Sequence, residues 1–327
     1  MKLTPTDGTM SRAIIDRSMT LEIVRVTERA AIAAAAWRGK GDEKAADAAA
    51  VEGMRAELEK VHIDGSIVIG EGERDEAPML YIGEKVGAGD GPQVDIAVDP
   101  LEGTTLCAKN QPDSICVFAM TERGGLLNAP DVYMHKIAVG GGYPPGTVDL
   151  DMSATENVNS LARAKGVPVS EITACVLDRP RHGALIEELR TTGVSLKLIS
   201  DGDIAGVIHA TNTEETGIDI YLGSGGAPEG VLAAAALRCV GGQMQGRLIL
   251  DTDEKRDRAR RMGIDDPGRK YAVTDLASGD VLFAATGVTD GNLLDGVKLR
   301  RDSIVTSTIV MRSWSQTVRW IKARHHR

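Results

Sequence analysis

Aromatic residues are scarce in this sequence, at 3% of 327 residues. Proteins that bind single-stranded nucleic acid without sequence preference stack its bases on aromatic side chains, so the composition disfavours that class. The core must instead be built from Ala, Val, Ile, Leu and Gly, which suits closely packed α/β layers.

Cysteine is also sparse, and its spacing excludes two further classes. The four cysteines, Cys107, Cys116, Cys175 and Cys239, form no Cys-x-x-Cys pair, so neither a zinc site nor a disulfide framework is predicted. No apolar run approaches the length that spans a bilayer, and the polar residues 1–5 do not resemble a signal peptide. We therefore expect a cytoplasmic protein without a membrane partner.

Positive charge is in deficit, because 38 Lys and Arg residues face 47 Asp and Glu residues, for a net charge of −9. This balance disfavours a nucleic-acid partner. An enzyme that acts on small anions would need metal ions to reverse the local field of such a protein.

The length allows one large α/β unit or two modest domains, and the break at residues 140–146 divides the chain into halves 1–145 and 146–327. We expect the halves to form one compact unit.

Hydrophobic periodicity predicts an alternation of helices and strands along the chain. The predicted helices cover residues 20–37, 43–61, 153–165, 183–192, 231–240 and 251–261. The predicted strands cover residues 66–69, 94–99, 114–121, 133–139, 173–177, 194–200 and 218–222. Polar or glycine-rich turns follow the strands, and such turns gather at the carboxyl ends of strands in α/β folds.

The turn after the strand that ends at Asp99 is the richest in oxygen ligands. The strand is expected to stop there because Pro100 has no N–H and cannot continue a central ladder. Asp99 and Glu102 are then hard oxygen ligands on either side of a tight bend, Gly103 allows close backbone approach, and Thr104 offers a hydroxyl and an N–H. Oxygen ligands beside N–H donors suit Mg²⁺ or Mn²⁺ facing a phosphate. The alternative is an ordinary capped turn.

Three further acids lie on an apolar helix stripe or in a loop that follows a strand end. Asp47 falls on the apolar stripe of the helix over residues 43–61, where a carboxylate must be paired, protonated or bound to metal. The alternative role of Asp47 is to complement the helix dipole. Glu71 and Glu73 point the same way in a glycine-rich loop after the first strand, although such a loop is also compatible with simple solvation.

The second half adds basic and acidic groups at strand ends. Arg179 and Arg181 could hold a phosphate bidentately, or could be ordinary exposed arginines. Residues 223–230 read as a glycine-rich loop of free N–H groups entering a helix, with Glu229 in the first turn. Glu229 would be favoured beside an anion if a cation bridges them, and otherwise only complements the helix dipole.

Five motifs in this order resemble the class II fructose-1,6-bisphosphatase family, which includes bifunctional fructose and sedoheptulose bisphosphatases. They are residues 70–80 (Gly-Glu-Gly-Glu-Arg-Asp-Glu-Ala-Pro-Met-Leu), 99–104 (Asp-Pro-Leu-Glu-Gly-Thr), 179–182 (Arg-Pro-Arg-His), 201–203 (Asp-Gly-Asp) and 225–230 (Gly-Gly-Ala-Pro-Glu-Gly). The resemblance runs from about residue 20 to residue 320. The second motif also resembles the metal motif of the lithium-sensitive phosphatase superfamily. The resemblance therefore implies an α/β fold, a layered αβαβα sandwich.

The resemblance implies a site that draws on both halves of the chain. It implies metal ligands at Asp47, Glu71, Asp99, Glu102 and Glu229, for Mn²⁺ or Mg²⁺. It implies catalytic roles for Asp99, Glu102 and Thr104. It implies substrate contacts from Glu102, Gly103, Thr104, Tyr133, Arg179, Pro180, Arg181, Asp201, Gly202, Asp203 and Gly226. The first half would supply most metal ligands, and the second half would supply Glu229 and most sugar-phosphate contacts.

The implied activity is hydrolysis of the 1-phosphate of fructose 1,6-bisphosphate to fructose 6-phosphate, in gluconeogenesis or Calvin-type carbon metabolism. Sedoheptulose 1,7-bisphosphate is a further candidate substrate, and the family leads us to expect a homo-oligomer, a dimer or tetramer. The alternatives are a phosphatase for inositol monophosphate or 3′-phosphoadenosine nucleotides, and a non-catalytic sugar-phosphate sensor. One position departs from the family, which commonly has Lys four residues before the helix Asp. Glu43 occupies it here, and Lys44 is rotated from it by about 100°.

Overall fold

The computed structural model describes residues 15–72 and 78–327. The helices are α1 (Met19–Ala35), α2 (Glu43–Leu58), α3 (Thr104–Ala108), α4 (Ala154–Lys165), α5 (Gly183–Thr191), α6 (Asp203–His209), α7 (Thr213–Thr216), α8 (Ala227–Val240), α9 (Asp253–Arg261) and α10 (Val273–Leu276). Short 3-10 turns lie at Val169–Glu171 and Pro180–His182. The strands are β1 (Asp64–Ile69), β2 (Lys85–Val86), β3 (Gln93–Glu102), β4 (Ile115–Glu122), β5 (Tyr133–Val139), β6 (Thr173–Leu177), β7 (Ser195–Ile199), β8 (Ile220–Gly226), β9 (Gln243–Leu248), β10 (Tyr271–Ala272), β11 (Leu282–Gly287), β12 (Lys298–Leu299), β13 (Ser303–Arg312) and β14 (Thr317–His326).

The strands form two mixed sheets. The first sheet has eight strands in the order β12-β13-β11-β4-β3-β1-β2, with β14 added beside β13. Strands β1 and β3 run parallel, whereas the other described pairs of this sheet are antiparallel. The second sheet has six strands in the order β10-β9-β5-β8-β6-β7, in which β6 runs parallel to both β7 and β8. The sheets do not follow the halves of the chain, since β5 lies in the second sheet and β11 to β14 return to the first. The division at residue 145 stays a prediction.

Helices pack against both faces of each sheet, and together the helices and sheets form five layers. On the first sheet, Ile67, Ile96 and Phe118 pack with α1 and α2, while Ala97 and Val117 on the opposite face pack towards α8. Residues of α8 and α6 share one core cluster with the inner faces of both sheets. The outer face of the second sheet packs against α4 and α5. The predicted αβαβα sandwich is thus confirmed.

The central position of α8 explains its sequence. Ten of its fourteen residues are buried, half of them alanine, and a helix that is apolar on all sides is a core helix. Small side chains let two sheets approach it from both sides. A fold with few aromatic residues can therefore still fill its interior without voids.

Most predicted elements are found within a few residues of their expected bounds. Strands β5 and β6 have the predicted limits. Asp42 caps α2, with its Oδ1 accepting a hydrogen bond from Ala45 N at 3.0 Å. Ser153 and Glu156 form a capping box at the start of α4. No helix among residues 15–72 and 78–327 is long and apolar enough to cross a membrane.

The expected end of the strand at Asp99 is wrong. Strand β3 runs for ten residues, Gln93–Glu102, and contains Pro100. Its register with β4 shifts between Asp99 and Glu102, and pairing with β1 has already ended at Ala97. Proline is tolerated at a bulge because its missing N–H is not needed for the ladder there. Bulges near active sites re-aim side chains, and this one turns both acids towards the same cavity.

The glycine-rich loop expected at residues 223–230 is also corrected. Gly223 to Gly226 are the last four residues of β8, and they pair with Lys136 to Tyr133 of β5. Local composition suggested a loop because glycine is depleted in strands. Glycine within a strand instead marks a close approach of other groups, which the site explains.

Candidate active site

One cavity of about 470 Å³ gathers almost all of the predicted site residues. It opens where β1 and β3 end, where α3, α6 and α8 begin, and beside the 3-10 turn at Pro180–His182. Its lining includes Asp47, Glu71, Asp99, Glu102, Gly103, Thr104, Tyr133, Arg179, Arg181, Asp201, Gly202, Asp203, Gly226 and Glu229. Pro180 is exposed and does not line it, and Glu73 lies outside the described residues.

The two acids of the β3 bulge are held by backbone N–H groups. Asp99 Oδ1 accepts a hydrogen bond from Leu101 N at 3.2 Å. Glu102 Oε1 accepts one from Ile204 N, near the start of α6, at 2.7 Å. Glu102 thereby ties the first sheet to the helix that carries Asp203.

The acids of the cavity repel one another and are desolvated. Burial raises the pKa of Asp99 well above its usual range, and the charge of Glu229 adds to this effect. Burial, followed by the charge of Asp99, does the same to the pKa of Glu102. Burial and the charge of Asp47 raise the pKa of Glu71 to about 7. Burial also raises the pKa of Asp47 and of Glu229. Perturbed carboxylates in one cleft are typical of functional sites.

The donor set fits a hard divalent cation. Glu102 Oε2 and Glu229 Oε2 are buried and have no hydrogen-bond partner among the described residues. Leaving a buried charged oxygen unpaired costs free energy, and a cation would remove that cost. Across residues 15–72 and 78–327, no three acidic, histidine or cysteine side chains form a ready-made metal cage.

Two glycines of β8 leave room for two of these carboxylates. A Cβ at Gly225 would lie 1.8 Å from Asp203 Oδ2, and a Cβ at Gly226 would lie 1.8 Å from Glu229 Oε2. Neither glycine has a positive φ, so their role is space rather than backbone freedom. Any side chain at either position would push an acid out of the site.

A buried lysine lies beside the acids. Lys136, on β5, pairs with Asp203 at 2.5 Å, and their side chains are only 1% and 7% exposed. The charge of Lys136 also lowers the pKa of Glu229 and so opposes the effect of burial there. No local pattern indicates this ion pair, because its partners are 67 positions apart in the chain. The ion pair with Lys136 fixes the orientation of Asp203.

An aromatic ring and a buried histidine support the two arginines of the cavity, Arg179 and Arg181. The Arg181 guanidinium lies 4.7 Å from the centroid of the Tyr133 ring, and its Nη2 donates to Ser224 O at 2.8 Å. His182 Nε2 accepts a hydrogen bond from Ser224 N at 2.9 Å, so its Nδ1–H donates to Leu177 O at 2.7 Å. The histidine thus fastens the turn that carries both arginines to β8.

The outer edge of the cavity has a mixed charge. Arg179 Nη2 lies 3.4 Å from Asp201 Oδ1, and both side chains are partly exposed. Burial raises the pKa of Asp201, Arg179 opposes this rise, and the negative charge of Glu43 adds to it. Glu43, the position that departs from the family pattern, is therefore close enough to act on this edge.

Sequence reasoning missed Asp131, which lines the cavity and whose charge raises the pKa of Glu229. It also missed the apolar part of the lining, which includes Ile82 and Leu232. Asp131 lies two residues before Tyr133 in a segment with no motif, so no local signal pointed to it.

Comparison with known proteins gives a family over nearly the whole chain. Residues 17–325 match the family described as "Bacterial fructose-1,6-bisphosphatase, glpX-encoded". The "D-fructose 1,6-bisphosphatase class 2/sedoheptulose 1,7-bisphosphatase" of Prochlorococcus marinus (strain MIT 9303) is 49% identical over 95% of this chain and 97% of its own length. Proteins of the same name from Parasynechococcus marenigrum (strain WH8102) and Synechococcus sp. (strain RCC307) are each 48% identical with the same coverage. The chain therefore belongs to the glpX-encoded family of bacterial fructose-1,6-bisphosphatases.

Proposed function

We propose that this chain is a phosphoric monoester hydrolase that removes the 1-phosphate of fructose 1,6-bisphosphate to give fructose 6-phosphate. The observation that carries the proposal is one cavity in which desolvated carboxylates face two arginines. The acids suit metal-assisted attack at one phosphate, and the arginines suit recognition of a second, distal phosphate. Relatives named for both fructose and sedoheptulose bisphosphates make sedoheptulose 1,7-bisphosphate a second substrate to test.

Phosphatases of this family are generally metal-dependent, and we propose Mn²⁺ or Mg²⁺ as the metal. Asp99, Glu102 and Glu229 would hold it, with Asp47 and Glu71 nearby. A bound divalent cation supplies an activated water near neutral pH and neutralises charge on the phosphate. The unpartnered oxygens of Glu102 and Glu229 support this assignment.

We assign the orientation of the reacting phosphate to the start of α3. Gly103 has a φ of 75° and precedes Thr104, the first residue of that helix. The first N–H groups of a helix have no partner within it, so those of Gly103 and Thr104 would receive charge from the phosphate. The Thr104 hydroxyl would orient the phosphate or the attacking water. Correct orientation of the reacting groups lowers the barrier by removing entropy loss from the chemical step.

We propose that the opposite wall of the cavity binds the distal phosphate and the sugar hydroxyls. Arg179 and Arg181 would bind the phosphate, with Tyr133 supporting Arg181. Asp201 and Asp203 would accept hydrogen bonds from sugar hydroxyls, and the ion pair with Lys136 fixes the orientation of Asp203 for this role.

Phosphate release from chelator-treated protein, with Mn²⁺ or Mg²⁺ added back, tests the function directly. The substrates are fructose 1,6-bisphosphate, sedoheptulose 1,7-bisphosphate, inositol monophosphate and 3′-phosphoadenosine 5′-phosphate. We expect metal-dependent release that prefers a sugar bisphosphate. Release from inositol monophosphate alone would support the proposed metal site but would reject a sugar bisphosphate as the substrate. Sugar bisphosphate binding without release from any substrate would favour the sensor alternative.

Family membership alone leads us to propose a cytoplasmic homo-oligomer in gluconeogenesis or Calvin-type carbon metabolism. Light scattering after size-exclusion chromatography gives the oligomeric state. A monomer at micromolar concentration would reject that part of the proposal.

Replacement of Tyr133 separates its ring from its hydroxyl. Tyr133→Leu removes the ring on which Arg181 lies, and we expect KM for fructose 1,6-bisphosphate to rise about fivefold with kcat nearly unchanged, since a cation–π contact contributes about 0.5–1 kcal/mol. Tyr133→Phe keeps the ring and should leave KM within about twofold of the parent. An equal rise in both variants would show that the hydroxyl, rather than the stacked ring, matters.

Glu43→Lys should improve substrate binding, because it replaces a negative charge near Asp201 with a positive one. We expect KM to fall about two- to fivefold, with a smaller effect at high salt, as is usual for exposed charges. Glu52→Lys is the matched control, since it makes the same charge change on an exposed residue nine positions along α2, on the opposite face. An equal fall in KM in Glu52→Lys would show that the effect arises from net charge and not from the position of residue 43.

A further inference from the structure

A second cavity, of about 260 Å³, shares a wall with the candidate active site. Asp201 and Gly202 line both cavities. The rest of the second lining comes mainly from β7, from α6 and from the segment around Asp113. None of the proposed metal ligands lines it.

His209 is the most informative residue of this second cavity. Its side chain is 1% exposed, and neither Nδ1 nor Nε2 has a hydrogen-bond partner among the described residues. The nearest acid, Asp113, has its Oδ1 3.9 Å from Nε2, beyond hydrogen-bond distance. Burial lowers the pKa of His209, so at neutral pH the ring offers one N–H donor and one acceptor. Buried polar groups are nearly always satisfied, so the ring requires a partner that is not part of the protein.

Lys197 supplies a positive charge on the same cavity wall. Within the described part of the chain, its ammonium group makes no hydrogen bond or ion pair. It lies near His209, whose pKa it lowers. The acids at the wall are already engaged, since Asp113 accepts a hydrogen bond from Asn292 N at 2.9 Å and Asp201 pairs with Arg179. These carboxylates can still accept hydrogen bonds from hydroxyl groups but do not cancel Lys197 by direct contact.

We propose that this cavity binds a small anion that carries at least one hydroxyl group. Its carboxylate or phosphate pairs with Lys197 and accepts the N–H of His209. Its hydroxyl donates to the remaining ring nitrogen or to Asp113. The volume limits the ligand to a few carbon atoms, far smaller than a nucleotide.

The position of α6 couples such a ligand to the candidate active site. This helix begins at Asp203 in the first cavity and ends at His209 in the second, about 9 Å further along its axis. Next to Asp203, Ile204 N donates to Glu102. A ligand that moves His209 or the shared segment at Asp201 and Gly202 therefore alters the geometry of both walls of the active site. The coupling, unlike the binding, rests on the proposed function.

Histidine resonances test the binding without any activity measurement. The chain has six histidines, so metal-free protein labelled with ¹³C at His Cε1 gives a countable spectrum. The His209 signal is the one absent from His209→Asn or from His209→Gln. The probes are D-glycerate and glycerol 3-phosphate, which present a carboxylate and a phosphate on similar three-carbon alcohols, and glycerol is the uncharged control.

We expect at least one charged probe to shift the His209 signal saturably, with a Kd of about 1 mM or tighter, and glycerol to leave it unmoved. Lys197→Met should weaken binding at least tenfold, whereas Arg181→Met, which alters only the first cavity, should not. A signal that no probe moves would overturn the proposal in favour of a water-filled cavity. A shift lost in Arg181→Met but kept in Lys197→Met would place the ligand in the first cavity and overturn it equally.

Enzyme kinetics test the coupling between the two cavities separately from the binding. The effective probe should change KM or kcat for fructose 1,6-bisphosphate at least twofold in the parent and leave both unchanged in Lys197→Met. Unchanged kinetics in the parent would reject the coupling. If no phosphate is released from any substrate, the proposed function fails, and the shift of His209 still decides the binding site.

Discussion

Asp99→Asn and Glu102→Gln should each abolish phosphate release while the metal-free protein becomes more stable. We expect kcat to fall about a thousandfold or more, since metal-assisted catalysis contributes several kcal/mol and each 1.4 kcal/mol is a factor of ten. Both acids line the cavity, and burial and like charges raise the pKa of each well above its usual range. An amide of the same shape removes the charge and with it this repulsion.

The gain in stability distinguishes a functional acid from a structural one. A carboxylate that holds the fold together would lower the melting temperature when replaced, whereas one strained by its neighbours should raise it by a few degrees in the presence of a chelator. Measurements of phosphate release and of thermal unfolding on the same preparations give both values.

Asp178→Asn is the matched control for these variants. Asp178 follows directly after β6 and is exposed, and it does not line the cavity. It should change neither activity nor stability appreciably. Near-normal activity in Asp99→Asn or in Glu102→Gln would reject the assignment of the site.

Metal-free protein should lose stability as pH rises from about 6.5 to 8, and divalent metal should restore it. Burial raises the pKa of Glu71 to about 7 from its ordinary value of 4.5. Below 4.5 both the folded and unfolded states bind this proton. Between 4.5 and 7 only the folded state holds it, so the free energy of unfolding falls with rising pH, by at most about 1 kcal/mol per unit for one group. The contribution is fully lost above the folded pKa.

The same sign applies to the pKa of Asp99, of Glu102 and of Glu229, which burial also raises. Below pH 6.5 the buried histidines act in the opposite direction. Burial lowers the pKa of His182 and His209, so protonation of these rings destabilises the fold in acid. Above pH 6.5 this opposition fades as the histidines of the unfolded state lose their protons, and the raised carboxyl groups outnumber the two rings.

Denaturant unfolding at several pH values, with chelator or with Mn²⁺ or Mg²⁺, measures the effect. Comparison with Glu71→Gln isolates one acid, since the stability advantage of the variant should grow between pH 5 and 8. Metal should flatten the pH dependence of the parent by binding the ionised carboxylates of the folded state. A free energy of unfolding that rises with pH above 6.5 in chelator would contradict the acid cluster.

The sequence alone was sufficient for the elements with strong local signals. Strands β5 and β6 have the predicted bounds, and the caps at Asp42 and Ser153 are present, because both depend on residues within a few positions of one another. Ordered motifs were enough for the family and for the layered fold. The acids at Asp47, Glu71, Asp99, Glu102 and Glu229 were each named from their own surroundings, without knowledge of their neighbours.

Only the tertiary structure decided how these residues meet. Strand β3 continues through Pro100 because the partners across the sheet leave a bulge there, and Gly223 to Gly226 form strand rather than loop because β5 pairs with them. The ion pair of Lys136 with Asp203 joins residues 67 positions apart. The His209 ring, which has no hydrogen-bond partner in the described part of the chain, lies at a cavity that no sequence motif predicts. Periodicity, caps and turns are set by near neighbours in the chain. Burial, pKa and the pairing of charges depend on contacts between distant segments, which exist only once both sheets have packed around α8.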